Sequence, residues 1–540
     1  MKKTLIISLT VILASFTGCS PNIDKTKLDA YFDTLANNRK FMGSVAVSRN
    51  GESIYAKSVG FADIEHGLKA NENSKYRIAS ISKTFTAALI FIAVDENKLN
   101  PDQTIDKFFP AINNSDKITI AHLLYHRSGI SDDNSFTDHA NQPGTEQETI
   151  ERILSAGIDF EPDAKASYGN LNFILLSYIL EKIYEKSFSE ILEEKIVKPV
   201  GLKNTYCVNK TNVKDNECNS YVYGRTAEFD SEMYDWEPEP EIDLSILSGA
   251  AGIVSNAVDL TLFSDALFGG KLISNHSLQQ MKTIKDGIGM GLVQIPVDSR
   301  TGFGHGGSID GFRSIFAHFS DGNISFALTA NGLNYNSNII ARVVLSAVYD
   351  KPFEIPEFKT YNVSDEDLDK YTGIYSSEQV PVKIPVIKIR NTLFGAKDVA
   401  FVPLKATEKD RFEFEEEVIV LEFNPIDKTM VLKEGNETLD FIRISGPEFK
   451  TDIYDVTDEE SDKYAGIYSS EQIHLKVTVI GVYNKLFAHV AGRTSLMLLE
   501  ATGKDKFEFA EEGIVLEFNP AEKTMTAKQS NRIFNFMKED

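Results

Sequence analysis

The first part of the chain changes from a two-residue to a helical period of apolar positions. Residues 44–48 alternate small or polar with apolar side chains, Asn50-Gly51 follows as a hairpin turn, and residues 53–61 return as a second strand. From about residue 84 to residue 282 the apolar period is mainly helical, with long polar connections. An antiparallel hairpin therefore precedes a helical region.

Strand periodicity returns after Gly302. The pattern predicts strands at residues 313–319 and 324–330, joined by an Asp-Gly-Asn turn, and then a helix over residues 336–349. We predict an α/β (α+β) domain in which the first and last strands share one antiparallel sheet. The helical region is inserted between them, and the cleft between sheet and helices is the expected site.

Beyond Pro352 the chain is a duplication. Two pairs of segments carry it: residues 370–379 with 463–472, and residues 411–425 with 506–520. Their Phe-Glu-Phe and Val-Leu-Glu-Phe runs have a period of two, which is typical of antiparallel strands. We predict two small all-β barrel-like repeats, at residues 365–444 and 458–538, because at this size a barrel or sandwich closes the sheet.

The first candidate for chemistry is Ser80-Ile81-Ser82-Lys83, which follows a strand-like segment and opens the apolar run of residues 84–94. A serine is a poor nucleophile without a neighbouring base, and residues three apart share a helix face. Lys83 can therefore reach Ser80. The alternative is that Ser80 only caps the helix.

Two further motifs follow in the chain, Tyr168-Gly169-Asn170 and His305-Gly306-Gly307-Ser308. A tyrosine beside a lysine can relay a proton, an asparagine amide can hold a substrate amide, and glycines let the backbone approach a ligand. Taken singly, Asn170 is as well explained as a helix cap and the glycine run as a bulge or turn. Their order and spacing after Ser80 favour the functional interpretation.

The three motifs together resemble the serine β-lactamase and penicillin-binding protein superfamily, in particular its class C-like branch. That branch also contains D-Ala-D-Ala carboxypeptidases, D-aminopeptidases and esterases. Residues 118–130 and 248–255 resemble the family as well, and the resemblance covers roughly residues 25–350. We assign residues 29–352 as the hydrolase domain. The sequence has no Gly-x-Ser-x-Gly, the mark of many Ser-His-Asp hydrolases.

The resemblance implies acyl transfer. Ser80 attacks a carbonyl, Lys83 with Tyr168 takes and returns the proton, and water releases the acyl-enzyme. The resemblance also assigns substrate binding and the oxyanion hole to Asn170, His305, Gly307 and Ser308. The oxyanion donors would be the backbone N–H groups of Ser80 and Ser308. Which of Lys83 and Tyr168 is the base stays open.

One departure from the family pattern concerns the substrate. True β-lactamases usually carry Lys-Thr-Gly where this chain has His305-Gly306-Gly307, so the cation and the hydroxyl that recognise a carboxylate are absent. We predict hydrolysis of a D-amino-acid peptide or amide, a peptidoglycan-type peptide or a small ester. The alternatives are a true β-lactamase or D-Ala-D-Ala carboxypeptidase, and a non-turnover penicillin-binding sensor or binding lipoprotein.

The repeats resemble the lipocalin-like β modules of D-aminopeptidases, whose second barrel sends a loop into the active-site cleft. The corresponding candidates here are residues 481–484 and 492–495. The alternative is that the repeats are spacers or partner-binding modules.

The first residues indicate a location. Lys2-Lys3, an apolar stretch at residues 5–16 and Thr17-Gly18-Cys19 resemble a bacterial lipoprotein signal. We predict a signal peptide at residues 1–18, a lipid on Cys19 and a linker at residues 19–28. The protein would be anchored in the bacterial cell envelope, periplasmic or at the outer membrane. A plain secretory signal is the alternative.

Composition and charge narrow the partners. A chain of 540 residues with 42% hydrophobic residues predicts about three domains, and its net charge of −23 argues against nucleic acid. The expected partner is a small peptide, amide or ester, with the membrane reached only through the lipid, and we predict no metal and no cofactor.

Cys207 and Cys218 could form a disulfide or remain as two free surface thiols. The acidic stretch at residues 228–243 either lies in solvent or borders the cleft.

Overall fold

A six-stranded antiparallel sheet joins the beginning and the end of the hydrolase domain. The structure is a computed structural model that describes residues 23–132, 145–208, 210–225, 234–397, 400–414, 419–434, 437–446, 456–472, 475–491, 495–510, 512–529 and 532–539. The strands of this part of the chain are β1 (Phe41–Arg49), β2 (Glu52–Val59), β3 (Phe61–Asp63), β4 (Leu68–Lys69), β5 (Tyr76–Arg77), β6 (Tyr206–Cys207), β7 (Tyr221–Arg225), β8 (Tyr234–Pro238), β9 (Ile253–Ser255), β10 (Val293–Val297), β11 (Arg300–Ile309), β12 (Phe312–Phe319) and β13 (Ile324–Leu333).

The helices of the same part are α1 (Lys25–Asn37), α2 (Ser82–Asp95), α3 (Ile120–Leu124), α4 (Glu146–Ala156), α5 (Asn170–Tyr184), α6 (Phe188–Leu192), α7 (Lys198–Val200), α8 (Ser248–Ala251), α9 (Ala257–Phe268), α10 (Asn275–Lys282) and α11 (Ser337–Val348). Shorter helical segments are Ala79–Ile81, Ile105–Lys107, Glu193–Val197, Val213–Asp215 and Leu244–Leu247. Among the residues described, no helix is long and apolar enough to cross a membrane.

The strand order β10-β11-β12-β13-β1-β2 confirms that the two ends of the domain share one sheet. The first strand pairs with the last, so that Val45 lies opposite Leu328. The predicted hairpin between β1 and β2 is also present. Its turn is formed by Asn50 and Gly51, which both have positive φ, at 55° and 81°. That geometry matches the twist of the two strands that it connects.

Each face of the sheet carries its own core. On one face α1 and α11 pack against β1 and β13, with Phe32 and Val344 among the buried side chains. On the other face the helical region packs against the same strands, and its central helix α2 is buried along nearly its whole length. The rings of Phe85 in α2 and Phe263 in α9 stack at 3.7 Å between centroids. The sheet therefore holds α2 in a fixed position.

The helical region also contains a small sheet that the periodicity did not predict. Strand β9 pairs with β5 on one side, where Tyr76 lies opposite Ser255, and with β6 on the other. These strands have only two or three residues each. A two-residue strand is too short to show a period, so only the folded chain reveals it.

The two C-terminal repeats are closed antiparallel barrels, as predicted. The first contains α12 (Asp365–Leu368), β14 (Gly373–Ser376), β15 (Lys383–Ile389), β16 (Thr392–Lys397), β17 (Ala400–Glu408), β18 (Arg411–Phe414), β19 (Ile419–Asn424), β20 (Thr429–Glu434) and β21 (Glu437–Ser445). The second contains α13 (Asp458–Tyr464), β22 (Gly466–Ser470), β23 (Leu475–Val482), β24 (Lys485–Val490), β25 (Leu496–Gly503), β26 (Lys506–Phe509), β27 (Ile514–Asn519), β28 (Thr524–Gln529) and β29 (Arg532–Lys538). Closure comes from the pairing of β14 with β21 and of β22 with β29.

The barrels are joined to each other through strands β17 and β25. Ala400 pairs with Met497 and Phe401 with Leu496, so that both barrels form one continuous sheet. An apolar cluster outside both barrels covers this junction, and it is built from Ile387, Ile389, Phe394, Phe401, Phe487 and Leu496.

One of the two loops predicted to enter the active-site cleft lies at this junction instead. The turn at Tyr483 and Asn484 joins β23 to β24, and the Tyr483 ring packs against the junction cluster. It is therefore a contact of one barrel with the other. Residues 492–494 of the second candidate loop lie outside the described residues, as do the predicted signal peptide and Cys19.

The two cysteines form no disulfide, and they are not surface thiols either. Both are free; Cys218 is buried and Cys207 is half-buried. Burial raises the pKa of each thiol to about 12. Both are therefore protonated and unreactive at neutral pH.

Two outer segments also differ from their expected positions. The chain continues to pack on the hydrolase core beyond residue 352, through Phe353, Ile355 and Phe358. In the acidic stretch, Asp235 is exposed in a surface pair with Arg39 at 3.2 Å, whereas Glu241 pairs at 2.7 Å with the buried Arg77, so only Glu241 departs from a simply solvated carboxylate.

Candidate active site

Ser80 lies on a tight turn between β5 and α2. The turn is a 3₁₀ segment, Ala79–Ile81, and Ala79 has a φ of 47°, in the left-handed region that costs a residue with a Cβ about 1–2 kcal/mol. The side chain of Ser80 does not cap α2, whose N-cap is Ile81. The capping alternative for Ser80 is therefore wrong, and its hydroxyl is available to Lys83.

Lys83 points into the same turn and is completely buried. Its Nζ lies 3.1 Å from Ser80 Oγ, 2.7 Å from Asn170 Oδ1 and 3.1 Å from the Ala250 carbonyl oxygen. A neutral amine has two N–H bonds and one lone pair. Asn170 and Ala250 can accept the two N–H groups, which leaves the lone pair for the proton of Ser80.

Burial also sets the protonation state of Lys83. Desolvation disfavours the ammonium form and lowers its pKa to about 7, while the nearby carboxylate of Asp132 acts in the opposite direction. A substantial fraction of Lys83 is thus neutral near pH 7. A buried lysine beside a hydroxyl is a suitable general base.

Tyr168 completes the group around the serine. Its hydroxyl hydrogen bonds with Ser80, yet burial of the hydroxyl is the larger effect and raises its pKa to about 12. The Lys83 Nζ lies 4.9 Å from the centre of the Tyr168 ring. At neutral pH Tyr168 is therefore a protonated phenol next to Ser80, able to donate a proton.

Asn170 is the first residue of α5 but does not cap it. The N-cap is Gly169, and the Asn170 side chain accepts from Lys83 instead. A free N–H group in the first turn of α5 is bonded by a side chain from another loop, because Asp132 Oδ2 accepts from the Leu171 N–H at 3.2 Å. The amide N–H groups of Asn170 are thus available for a substrate carbonyl.

The opposite wall is strand β11, not a turn. Strand β10 pairs with it only as far as Gly304, so residues 305–309 form a sheet edge that pairs on one side with β12. A Cβ on Gly307 would lie 2.2 Å from the Ile78 carbonyl oxygen. Only a glycine at this position lets the edge approach the turn that carries Ser80, and Ser314 Oγ fixes the approach by donating to Ile78 O at 2.8 Å.

His305 is neutral in this structure. Its Nδ1 lies 2.6 Å from the Gly306 carbonyl oxygen and donates to it, and burial lowers the pKa of the ring to about 4. The ring therefore supplies no positive charge at neutral pH. The wall formed by β11 has a neutral imidazole at the position of the family's lysine.

The motifs predicted from the sequence converge on one cavity of about 380 Å³. Its lining includes Ser80, Tyr168, Gly306, Gly307 and Ser308. Lys83 and Asn170 contact this group through the hydrogen bonds already given, and the His305 ring lies 6.2 Å from that of Tyr168.

Three participants were not predicted: the Ala250 carbonyl, Asp132 and His126. Ala250 and His126 lie inside the segments 248–255 and 118–130, whose resemblance to the family was the available signal. No sequence signal pointed to Asp132.

His126 also follows His122 at a spacing that can bind zinc. Both Nδ1 atoms instead accept backbone N–H groups, from Gly169 and Thr119, and no group of three potential metal ligands occurs within the described part of the chain.

Comparison with known proteins agrees with this geometry. The sequence profile of the Beta-lactamase family matches residues 28–348. The chain belongs to the Beta-lactamase family. Its relatives include serine hydrolases, and the protein is an enzyme of this class. Its hydrolase domain has the β-lactamase and transpeptidase-like fold.

Two curated relatives and one solved structure illustrate the family match. Penicillin-binding protein 4* of Bacillus subtilis is 25% identical over 352 residues, which are 61% of this chain and 77% of that protein. Teichoic acid D-alanine hydrolase of Staphylococcus aureus is 28% identical over 200 residues, 37% of this chain and 48% of that protein. D-amino acid amidase from Ochrobactrum anthropi SV3, solved with L-phenylalanine amide, superposes with a TM-score of 0.52 at 25% identity, covering 60% of this chain and 97% of that one.

Proposed function

We propose that the protein is an envelope-anchored hydrolase that forms an acyl-enzyme on Ser80 and cleaves an amide or ester of a D-amino acid. The observation that carries the proposal is the contact of Ser80 with a lysine that is fully buried and has its pKa lowered to about 7. A lysine in this state can take the serine proton without first losing its own to solvent.

The proton path follows from the two pKa values. Lys83 is the base because it is partly neutral at pH 7, whereas the Tyr168 phenol, with its pKa raised to about 12, stays protonated. Ser80 Oγ bonds to the acyl carbon as its proton moves to Lys83. Tyr168 then donates its proton to the leaving amine or alcohol and is reprotonated from Lys83. Water repeats the sequence to release the acid.

The charges around the cavity support a substrate with a free amine. Asp132 is close enough to Lys83 and Tyr168 to affect the pKa of both, and the neutral His305 offers no cation for a carboxylate. The Arg313 guanidinium also lines the cavity, but it donates to the carbonyl oxygens of Asp310 and Phe312. D-alanyl esters and D-amino-acid amides carry an ammonium group and lack a free carboxylate at the scissile end. The names of two relatives, a D-alanine hydrolase and a D-amino acid amidase, agree with this class. β-Lactams and D-Ala-D-Ala peptides end in a carboxylate and fit less well.

The nucleophile is tested by Ser80→Ala with a fluorescent phosphonate and with D-alanine nitrophenyl ester. We expect labelling and turnover to fall to background with an unchanged melting temperature, because the hydroxyl does not cap α2. Ser82→Ala is the matched control: Ser82 Oγ accepts from Ile253 N, so its loss affects stability and should spare labelling. If the Ser80 variant kept a tenth of the activity, another residue would be the nucleophile. Labelling of the native protein without turnover would indicate the sensor alternative.

The substrate class is tested by comparing D-alanine amide with its N-acetyl derivative. We expect the free amine to be preferred at least tenfold, and Asp132→Asn to reduce that preference mainly through KM. Asparagine keeps an oxygen for the Leu171 N–H but removes the charge. Equal rates on both amides in the native protein would contradict amine recognition and leave acyl transfer by Ser80 in place.

We also infer that the protein is anchored in the envelope through Cys19. Support comes from the charged, apolar and small-residue order of residues 1–19 alone. Cys19→Ala should move the protein from the membrane fraction to the soluble fraction of the envelope. Stable membrane attachment of this variant would argue for an uncleaved signal or a partner protein.

A further inference from the structure

The His126 ring packs against Tyr168, which lines the cavity, and His126 itself is not part of the cavity lining. The two rings stack at 4.4 Å between centroids with an angle of 28° between their planes. Phe173 packs against His126 at 5.1 Å. Only 2% of His126 is exposed, whereas 47% of Tyr168 is. The ring that carries the Tyr168 phenol is thus open to solvent on part of its surface and rests on a buried imidazole.

The imidazole also binds the backbone that carries Tyr168. Its Nδ1 lies 3.1 Å from the Gly169 nitrogen and 3.4 Å from Asn172 Nδ2. A backbone N–H can only donate, so Nδ1 has to accept and carries no proton. Asn172 is itself fixed, because its Oδ1 accepts from Ser128 Oγ at 2.6 Å.

The environment keeps His126 in this neutral form. Burial lowers the pKa of its ring well below the usual value, and the charge of Lys83 and the nearby His305 act in the same direction. The carboxylate of Asp132 is also close to this region, since its charge raises the pKa of both Lys83 and Tyr168. A protonated Nδ1 would lose the Gly169 bond. The chain around residue 126 is fixed as well, because its carbonyl oxygen accepts from the Ser167 N–H at 2.8 Å.

We propose that His126 is a positioning residue that holds the Tyr168 phenol in line with the leaving group during proton transfer. The stack fixes the tilt of the phenol ring, and the Gly169 bond fixes the backbone from which the ring projects. Without either contact the half-exposed ring has other rotamers available. This inference rests on the role of Tyr168 given under Proposed function.

The test uses two leaving groups on the full-length protein. Nitrophenolate leaves without a proton, whereas an amine has to be protonated first. Tyr168→Phe should therefore lower the rate of acylation by D-alanine amide by about a hundredfold. Acylation by the nitrophenyl ester, followed as the pre-steady-state release of nitrophenolate, should fall much less. The comparison uses acylation because the later deacylation step is common to both substrates and involves Tyr168 in each. His126→Ala should show the same selective loss, in kcat more than in KM. The double variant should be no worse than Tyr168→Phe alone, because the two residues act on one proton.

Two further variants separate positioning from general loss of structure. His126→Phe keeps a ring for the stack, and His126→Asn keeps an acceptor near Nδ1, so each should recover part of the amide activity. His122→Ala removes an imidazole four residues earlier, where Nδ1 accepts from Thr119 N. It should lower the melting temperature slightly and leave the amide-to-ester ratio unchanged.

The outcomes are distinct. An equal loss on both substrates in His126→Ala, or additive losses in the double variant, would overturn the positioning role and leave the function of Tyr168 standing. If Tyr168→Phe itself showed no preference between leaving groups, the proton-donor role of Tyr168 would fail and the inference with it. Acyl transfer by Ser80 would still be judged by its own variant.

Discussion

The reactivity of Ser80 depends on a charge that the fold removes from water. Lys83 is held among a serine, an amide oxygen and a backbone carbonyl with no exposed surface. A lysine in solution is protonated at neutral pH and cannot serve as a base. Here the pKa of Lys83 falls to about 7, so the active form and the physiological pH coincide.

Acylation should therefore follow the titration of Lys83. Since only the neutral amine accepts a proton, kcat/KM should increase with pH up to about 7 and level off above it. Asp132 raises the pKa of Lys83, so Asp132→Asn should move the rising limb of the pH–rate profile to lower pH. A full pH–rate profile for both proteins checks the sign.

Asp310 is the necessary control, because burial raises its pKa to about 7 as well. It lies at the end of β11, where it pairs with Arg77 at 3.1 Å. Asp310→Asn should leave the position of the limb unchanged if Lys83 is the titrating group. A limb that vanished with Asp310, or that moved upward in Asp132→Asn, would contradict the assignment.

The sequence was informative for residues whose motifs have a fixed local spacing. Ser80 and Lys83 share a helix face at any position of that helix in the fold, and the desolvation of Lys83 could be expected because a base at neutral pH requires it. Asp132 could not be found this way. It reaches the site only because the segment that follows α3 contacts the first turn of α5 through Asp132, which is a tertiary contact.

At the scale of elements, the site depends on how closely a strand edge approaches a turn. Strand β11 passes the Ser80 turn at the Ile78 carbonyl, at a distance that leaves no room for a side chain on Gly307. An added Cβ on its neighbour Gly306 would fit without a clash, in ordinary van der Waals contact 3.7 Å from the Ser314 carbonyl oxygen. The two glycines of one motif thus have different reasons to be glycine.

A pair of alanine variants tests this difference. Gly307→Ala should push the edge away from Ile78, destabilise the domain by about 1–3 kcal/mol and reduce kcat at least about tenfold, because the oxyanion donors separate. Gly306→Ala should change the stability by less than about 1 kcal/mol. Thermal melts and ester hydrolysis measure both effects. Equal sensitivity of the two positions would contradict the described approach.

Elements with a clear period were predicted well, and very short ones were missed. Helix α11 agrees with its pattern to one residue at each end, and β2 agrees to within two residues, whereas β1 begins at Phe41, three residues earlier than the alternation indicated. The sheet of β5, β9 and β6 was not predicted, because its order depends on contacts between distant residues such as Tyr76 and Ser255. The glycine run at residues 304–307 gave no indication that it continues a strand, since glycine is rare in strands.

In the whole molecule, the period-two pattern predicted the two barrels but not their junction. Each barrel has its own core, filled in the first by Tyr371, Phe412 and Phe423 and in the second by the corresponding residues. The strand β15 was nevertheless apolar on both faces, with Val386 inside the barrel and Ile387 and Ile389 outside. A strand with two apolar faces indicates a second contact, although not its partner.

The partner is the equivalent surface of the second barrel. In the aligned repeats Phe401 corresponds to Leu496, and these two residues face each other across the β17–β25 pair. Ile387 and Ile480 are also equivalent, as are Phe394 and Phe487; Ile480 packs against the junction cluster, to which the other three belong. The junction therefore has a local two-fold axis and is isologous, like the interface of a symmetric homodimer.

The repeat region is in effect a homodimer whose two subunits are joined in one chain. The covalent link replaces a second molecule, because it keeps the partner surface at high effective concentration. A version of the protein that ends at residue 446 retains one half of the interface and should dimerise through it in a concentration-dependent manner, with Phe401→Asp as the monomeric control. Analytical ultracentrifugation distinguishes the two states. A mass that stays monomeric at all concentrations would show that the symmetry of the junction is not sufficient for association between chains.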